Sequence, residues 1–131
     1  MSLLAAEFLL ADQSLTGIVL LAPAMSSRYP CGAAIERTER GIWSFYSAGD
    51  VLFLGLGTLL LGTFDGVHWP ASGCIGFAHR TGTSPAAERR LRQIPYRLGM
   101  LSQFNLGGHF GCVHRFFVAE TIAPILREDG L

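Results

Sequence analysis

The chain contains no lysine: its ten basic residues are all arginines, and ten acidic residues balance them to a net charge of zero. Proteins that bind nucleic acid or an anionic membrane surface usually carry a basic excess that steers them to their partner. We therefore expect no nucleic-acid partner. Five arginines that gather in one region are interpreted as a solvated face or as partners of carboxylates: Arg80, Arg89, Arg90, Arg92 and Arg97.

Charged residues are scarce altogether, at 15% of the chain, while half of the residues are apolar. An average soluble domain has about 25% charged residues. The composition argues against disorder and predicts a folded chain with much of its surface covered. At 131 residues, it allows one domain but is shorter than the roughly 200–250 residues of many α/β enzymes.

Metal and cofactor patterns are also lacking. The chain has an odd number of cysteines, widely spaced and without a C-x-x-C pair: Cys31, Cys74 and Cys112. We therefore expect reduced, buried thiols. The four histidines are too scattered for a recognised zinc pattern. Gly55 and Gly57 lack the third glycine of a dinucleotide-binding loop. We expect no cofactor and no metal.

No apolar run is long enough for a membrane span of about 20 residues. Residues 51–61 come nearest, and Gly55 and Gly57 interrupt them. The first ten residues carry Glu7 and lack the basic region of a signal peptide. The expectation is a soluble, cytoplasmic protein without a membrane span.

The apolar pattern predicts three strands. Residues 15–22 are a run of leucine and β-branched residues closed by Pro23, typical of a parallel strand buried on both faces. Residues 41–47 form the second strand, and residues 91–98 a third, which Pro95 confines to an edge or a strand end.

Helices are predicted at residues 3–10, 33–40, 51–61 and from Phe110 onward, where Pro124 should kink or end the last one. Residues 63–87 hold too many glycines and prolines for a regular element, so they are predicted to be a long surface loop extending to about residue 90. Together these elements predict an α/β fold, with about three mostly parallel strands and helices on both faces, in a single partial domain over residues 1–131.

Two polar motifs stand where chemistry is expected in such a fold. Tyr46-Ser47-x-x-Asp50 places a carboxylate just beyond the second strand, and Gly107-Gly108-His109-Phe110-Gly111 places a histidine in a glycine-rich loop before the last helix. Ligands of open α/β sheets bind beyond the carboxyl ends of the strands. In that order the two motifs resemble the strand-end acid turn and the histidine loop of the C-terminal half of an α/β-hydrolase.

The resemblance covers about residues 3–126 and implies a serine hydrolase of the esterase or lipase type, acting on a small acyl or ester substrate. His109 would be the general base and Asp50 the acid that orients it. The nucleophile motif G-x-S-x-G does not occur in the sequence. On this interpretation the chain is a fragment that is inactive alone, with the nucleophile supplied by polypeptide before Met1.

Three alternatives remain open. Asp65, followed by a glycine, is a second candidate for the acid. Cys74, in Ser72-Gly73-Cys74-Ile75-Gly76, is a candidate nucleophile of a cysteine hydrolase. The chain could also be a non-catalytic α/β module that pairs with a partner chain, or with a second copy of itself, through an exposed sheet edge.

Overall fold

The computed structural model describes residues 2–8, 12–50, 57–63, 65–77 and 85–127. Within them three parallel strands form one sheet in chain order: β1 Ile18–Leu21, β2 Ile42–Tyr46 and β3 Leu91–Pro95. Ile42 of β2 is opposite Ile18 on one side and Leu91 on the other. The carboxyl ends of all three strands therefore lie along one edge, as expected for an α/β fold.

Short helices connect and cover these strands. Five of them come before or between the strands: α1 Ser2–Glu7, α2 Gly32–Glu36, α3 Gly57–Leu61, α4 Ser72–Ile75 and α5 Pro85–Glu88. After β3 come two 3₁₀ segments, Leu98–Gln103 and Gly111–Val113. The chain then forms a composite helix of α6 Arg115–Phe117, a π-helical turn Val118–Ile122 and α7 Ala123–Leu126.

Alternation along the strands separates the two larger core clusters of the described residues, one on each face of the sheet, and a small third cluster holds Ala71 and Cys74. Ile42 points to the face covered by α1 and α2, where it packs with Ile35. Trp43 and Phe45 point to the opposite face, where the composite helix supplies Phe117, which meets the ring of Phe45 edge-on at a centroid distance of 5.6 Å. The prediction of helices on both faces is confirmed for the described residues.

β2 is the most buried strand because it is central in the described sheet, with β1 on one side and β3 on the other. Its first four residues are buried, whereas β1 alternates between buried and half-buried residues, with Val19 and Leu21 half-buried. The expectation that the first strand is buried on both faces was therefore only partly met. Pro95 ends β3 on the sheet edge, where its missing N–H costs no ladder hydrogen bond.

The segment predicted as a surface loop, residues 63–87, contains a buried helical turn. The α4 backbone binds the segment that follows β1, since the N–H groups of Ser72 and Gly73 donate to the carbonyls of Met25 and Pro23. Ser72, Gly73 and Cys74 are buried. Glycine and proline punctuate this segment, but its small residues also let the backbone pack against the ends of β1 and β2.

The last helix begins later than predicted. Phe110 is exposed, and His114 has extended backbone angles, so regular helix starts at Arg115. Pro124 falls inside α7, directly after the π-helical turn, and the helix ends two residues later at Leu126. The missing N–H of Pro124 interrupts the helical hydrogen bonds of the preceding turn, which is consistent with the π-helical geometry there.

Parts of two predicted helices, residues 9–10 and 51–56, lie outside the described residues, as do Arg80 and His79. Arg90 and Arg92 donate to the carbonyls of Thr38 and Arg40 rather than to carboxylates. Across the described ranges, no helix has the length and apolar character needed to cross a membrane.

Candidate active site

The acid turn, residues 47–50, follows β2 directly. The N–H of Asp50 donates to the carbonyl of Ser47 at 3.1 Å, which closes the turn. The turn carries the carboxylate back over the end of β2, and the Asp50 side chain is only 1% exposed. A strand end thus places a buried carboxylate at the edge of the sheet where α/β folds bind ligands.

The histidine loop, residues 105–111, is shaped by Asn105 and by glycine. The N–H of Gly107 donates to Asn105 Oδ1 at 3.0 Å, an Asx turn that starts the loop. Gly107 has φ +75°, a left-handed conformation that glycine adopts without the strain a side chain brings. A Cβ on Gly111 would lie 2.4 Å from Asn105 Oδ1, so the loop closes tightly around this asparagine.

The acid turn and the histidine loop meet through the side chains of Asp50 and His109. His109 Nδ1 lies 2.7 Å from Asp50 Oδ2, although the two residues are 59 positions apart in the chain. A carboxylate acceptor favours the tautomer with the proton on Nδ1, which puts the lone pair on Nε2. The carboxylate thus fixes the orientation of the imidazole ring.

The imidazole is at the surface while its carboxylate is inside. His109 is 31% exposed and borders an open groove of about 670 Å³, whose other walls include Phe104, Leu106 and Phe110. The second oxygen of Asp50, Oδ1, is buried and has no hydrogen-bond partner among the described residues. Asp50 also lines a small pocket at the strand ends, together with Phe45, Ser47 and Tyr96.

Two cysteine thiols lie within the electrostatic reach of this carboxylate. Burial, and less strongly the negative charge of Asp50, raises the pKa of the Cys74 thiol. The same two causes raise the pKa of Cys112, whose Sγ donates to the carbonyl of His109 at 3.5 Å. Because a nucleophilic cysteine needs a lowered pKa, this environment argues against Cys74 as a nucleophile.

The other candidate residues have separate roles. Asp65 Oδ1 accepts a hydrogen bond from the N–H of Ser26 at 2.8 Å, so the structure uses this carboxylate to fix the segment after β1. His68 Nδ1 contacts the carbonyl of Leu59 at 3.1 Å, and the ring of His114 stacks on Phe104 at 5.1 Å. No group of three or more metal-ligating side chains occurs in the part of the chain that the structure describes.

For two residues that build the site, the sequence did not predict the contacts they make. Asn105 shapes the histidine loop, and Ser47 Oγ donates to the carbonyl of Gly107 at 2.5 Å, joining the acid turn to that loop. An asparagine two residues before a glycine is the sequence signal of an Asx turn and could have identified Asn105. The contact between Ser47 and Gly107 spans 60 positions, so no local sequence pattern predicts it.

Comparison of the chain with family models, with curated proteins and with solved structures finds no match. The function of the site is therefore inferred from its chemistry and geometry.

Proposed function

We propose that this chain supplies the acid and the base of a serine hydrolase that cleaves acyl esters, with the α/β-hydrolase arrangement of the two residues. The observation that carries the proposal is the 2.7 Å contact between His109 Nδ1 and the buried Oδ2 of Asp50. The contact joins a turn after one parallel strand to a loop that precedes the last helix. The acid and the histidine of α/β-hydrolases follow one another in that chain order.

In the proposed reaction, His109 Nε2 takes the proton of a serine hydroxyl as that hydroxyl attacks the ester carbonyl. The imidazolium then returns the proton to the leaving alcohol, and a water molecule completes the hydrolysis by the same route. Asp50 keeps the ring in one tautomer and stabilises its positive charge. Its burial strengthens that interaction, since charges attract more strongly where water is excluded.

The nucleophile is proposed to come from polypeptide other than these 131 residues, because the sequence has no G-x-S-x-G motif. The groove beside His109 supports this view. Phe104, Leu106 and Phe110 on its walls are each more than half exposed, and exposed apolar clusters of this kind mark surfaces that contact a ligand or another segment.

The test is to express this segment with whatever coding sequence precedes and follows it in frame, and to measure hydrolysis of a short-chain p-nitrophenyl ester. His109→Ala should abolish hydrolysis. His68→Ala is the matched control, because His68 is an exposed histidine whose ring contacts the backbone carbonyl of Leu59 and not a carboxylate. It should leave the rate unchanged. Full activity in the His109 variant would overturn the proposal.

A second candidate function is a non-catalytic module that pairs with a partner chain. The sheet favours it, because β1 and β3 each have only β2 as a neighbour among the described strands and so present an open edge. The same expressed protein separates the two candidates. No in-frame G-x-S-x-G and no esterase activity, together with formation of a stable complex, would favour the module.

A further inference from the structure

The acid turn and the histidine loop are joined by two hydrogen bonds, of which Asp50–His109 is only one. Ser47 Oγ donates to the carbonyl of Gly107 at 2.5 Å and accepts from the N–H of Gly49 at 3.2 Å. Ser47 precedes Asp50 by three residues, and Gly107 precedes His109 by two. The hydroxyl contact therefore links the same two segments just beside the functional pair.

The backbone around this second contact leaves little room for movement. A Cβ on Gly49 would lie 2.8 Å from the carbonyl oxygen of Gly107, and a Cβ on Gly107 would lie 3.0 Å from the ring of Tyr96. The Gly107 peptide is therefore held between the acid turn on one side and an aromatic ring on the other. Its carbonyl can meet the Ser47 hydroxyl only if the two segments keep this spacing.

Ser47 is itself fixed to the body of the fold. Its N–H donates to the carbonyl of Gly73 in α4 at 2.9 Å, and its own carbonyl closes the acid turn by accepting from Asp50. The Ser47 hydroxyl therefore connects Gly107 to β2 and α4, to which the Ser47 backbone is bound. The Ser47 contact therefore gives the histidine loop a second attachment to the acid turn, beside the Asp50–His109 contact.

We propose that Ser47 is a positioning residue of this site: its hydroxyl holds Gly107 and so sets where the His109 imidazole meets Asp50. The inference deepens the proposed hydrolase function and rests on it. It gives Ser47 a role in geometry, not in nucleophilic attack, because its hydroxyl proton is directed at a backbone carbonyl.

The test follows the proton on His109 Nδ1 by NMR in histidine-labelled protein, expressed with its in-frame flanking sequence. Only four histidines are present, and the spectrum of His109→Ala assigns the signal. Ser47→Ala should broaden the Nδ1 proton signal or move it toward the position of a solvent-exposed imidazole. It should also lower kcat for ester hydrolysis by about 10- to 100-fold with little change in KM, since small displacements of a catalytic group have effects of that size.

Two further variants separate positioning from general destabilisation. Ser47→Thr keeps the hydroxyl and should restore both the signal and most of kcat. Ser102→Ala is the matched control, because Ser102 Oγ also donates to a glycine carbonyl, that of Gly99 at 2.8 Å, but on an exposed 3₁₀ segment. It should change neither readout.

The inference is overturned if Ser47→Ala leaves the His109 signal and kcat as in the unsubstituted protein, or if Ser47→Thr loses as much as Ser47→Ala while melting at the unsubstituted temperature. Failure of the proposed function would look different. In that case no variant, His109→Ala included, would affect hydrolysis, while the NMR signal would still report whether Ser47 holds the loop.

Discussion

At the scale of single residues, the site depends on a buried carboxylate and a half-buried imidazole that reach each other from distant parts of the chain. Asp50 is placed by a turn after β2, and His109 by a loop whose shape depends on Asn105 and Gly107. The Asp50–His109 contact differs from a surface ion pair, because the Asp50 side chain is almost fully removed from solvent. Small changes in the loop backbone should therefore have measurable effects.

Gly107→Ala tests the loop backbone. The added Cβ would occupy a position with φ +75° and lie 3.0 Å from the Tyr96 ring, and the left-handed conformation alone costs a non-glycine residue about 1–2 kcal/mol. We expect the free energy of unfolding to fall by about 1–3 kcal/mol in a urea titration. Gly108→Ala is the control, since a Cβ there meets nothing within 4 Å. Equal losses in the two variants would contradict this account of the loop.

The sequence singled out Asp50 and His109, which the structure brings into contact, because each stands in a short motif, a strand-end turn and a glycine-rich loop. It included Ser47 in the acid-turn motif but could not identify the partner of the Ser47 hydroxyl, since Gly107 lies 60 positions away and only the folded chain brings them together. The catalytic roles of Asp50 and His109 stay predictions, which the activity experiment must decide.

At the scale of elements, the strands were predictable and the helix boundaries were less so. Apolar runs predicted β1 and β2, as is typical of buried parallel strands, whereas alternating apolar and polar residues predicted β3 at the edge of the sheet. The start of the last helix was placed too early, since apolar spacing continues through Cys112 while His114 is extended. Glycines and prolines are typical of turns and so predicted a surface loop at residues 63–87. The small residues of α4, Ser72 and Gly73, nevertheless allow this helical turn to be buried.

Phe117→Ala tests how the composite helix is held to the sheet. Phe117 is fully buried and packs edge-on against Phe45, and truncating such a side chain costs about 3–5 kcal/mol. The adjacent Phe116 is 39% exposed, so Phe116→Ala is the control and should cost about 1 kcal/mol or less. Urea unfolding of the two variants measures both. A similar loss in each would show that the helix does not pack on β2 through Phe117.

At the scale of the whole molecule, the sheet has a large core cluster on each face, and the candidate site lies on the edge where all three strands end. Trp43 and Phe45 face one cluster while Ile42 faces the other, so β2 is central to both. Three exposed apolar side chains, Phe104, Leu106 and Phe110, line the groove beside His109, and Leu106 and Phe110 are 74% and 68% exposed. The surface around the imidazole is therefore suited to contact with a ligand or another segment.

The 131-residue chain on its own should accordingly bind a hydrophobic dye or self-associate. Replacing Leu106 and Phe110 by serine together should reduce dye fluorescence, because these two side chains border the groove beside His109. Fluorescence titration and light scattering measure the two effects. A monodisperse monomer that melts cooperatively and binds no dye would contradict the view that the apolar groove beside His109 is a contact surface for another segment.

The hydrogen bond between His109 and Asp50 is the claim on which the rest depends, and the Nδ1 proton of His109 reports it directly. In histidine-labelled protein the account predicts a strongly downfield, slowly exchanging Nδ1 proton. Asp50→Ala should remove that signal, and Asp65→Ala should not, since Asp65 binds the Ser26 backbone instead. A His109 signal that is identical with and without Asp50 would contradict the account.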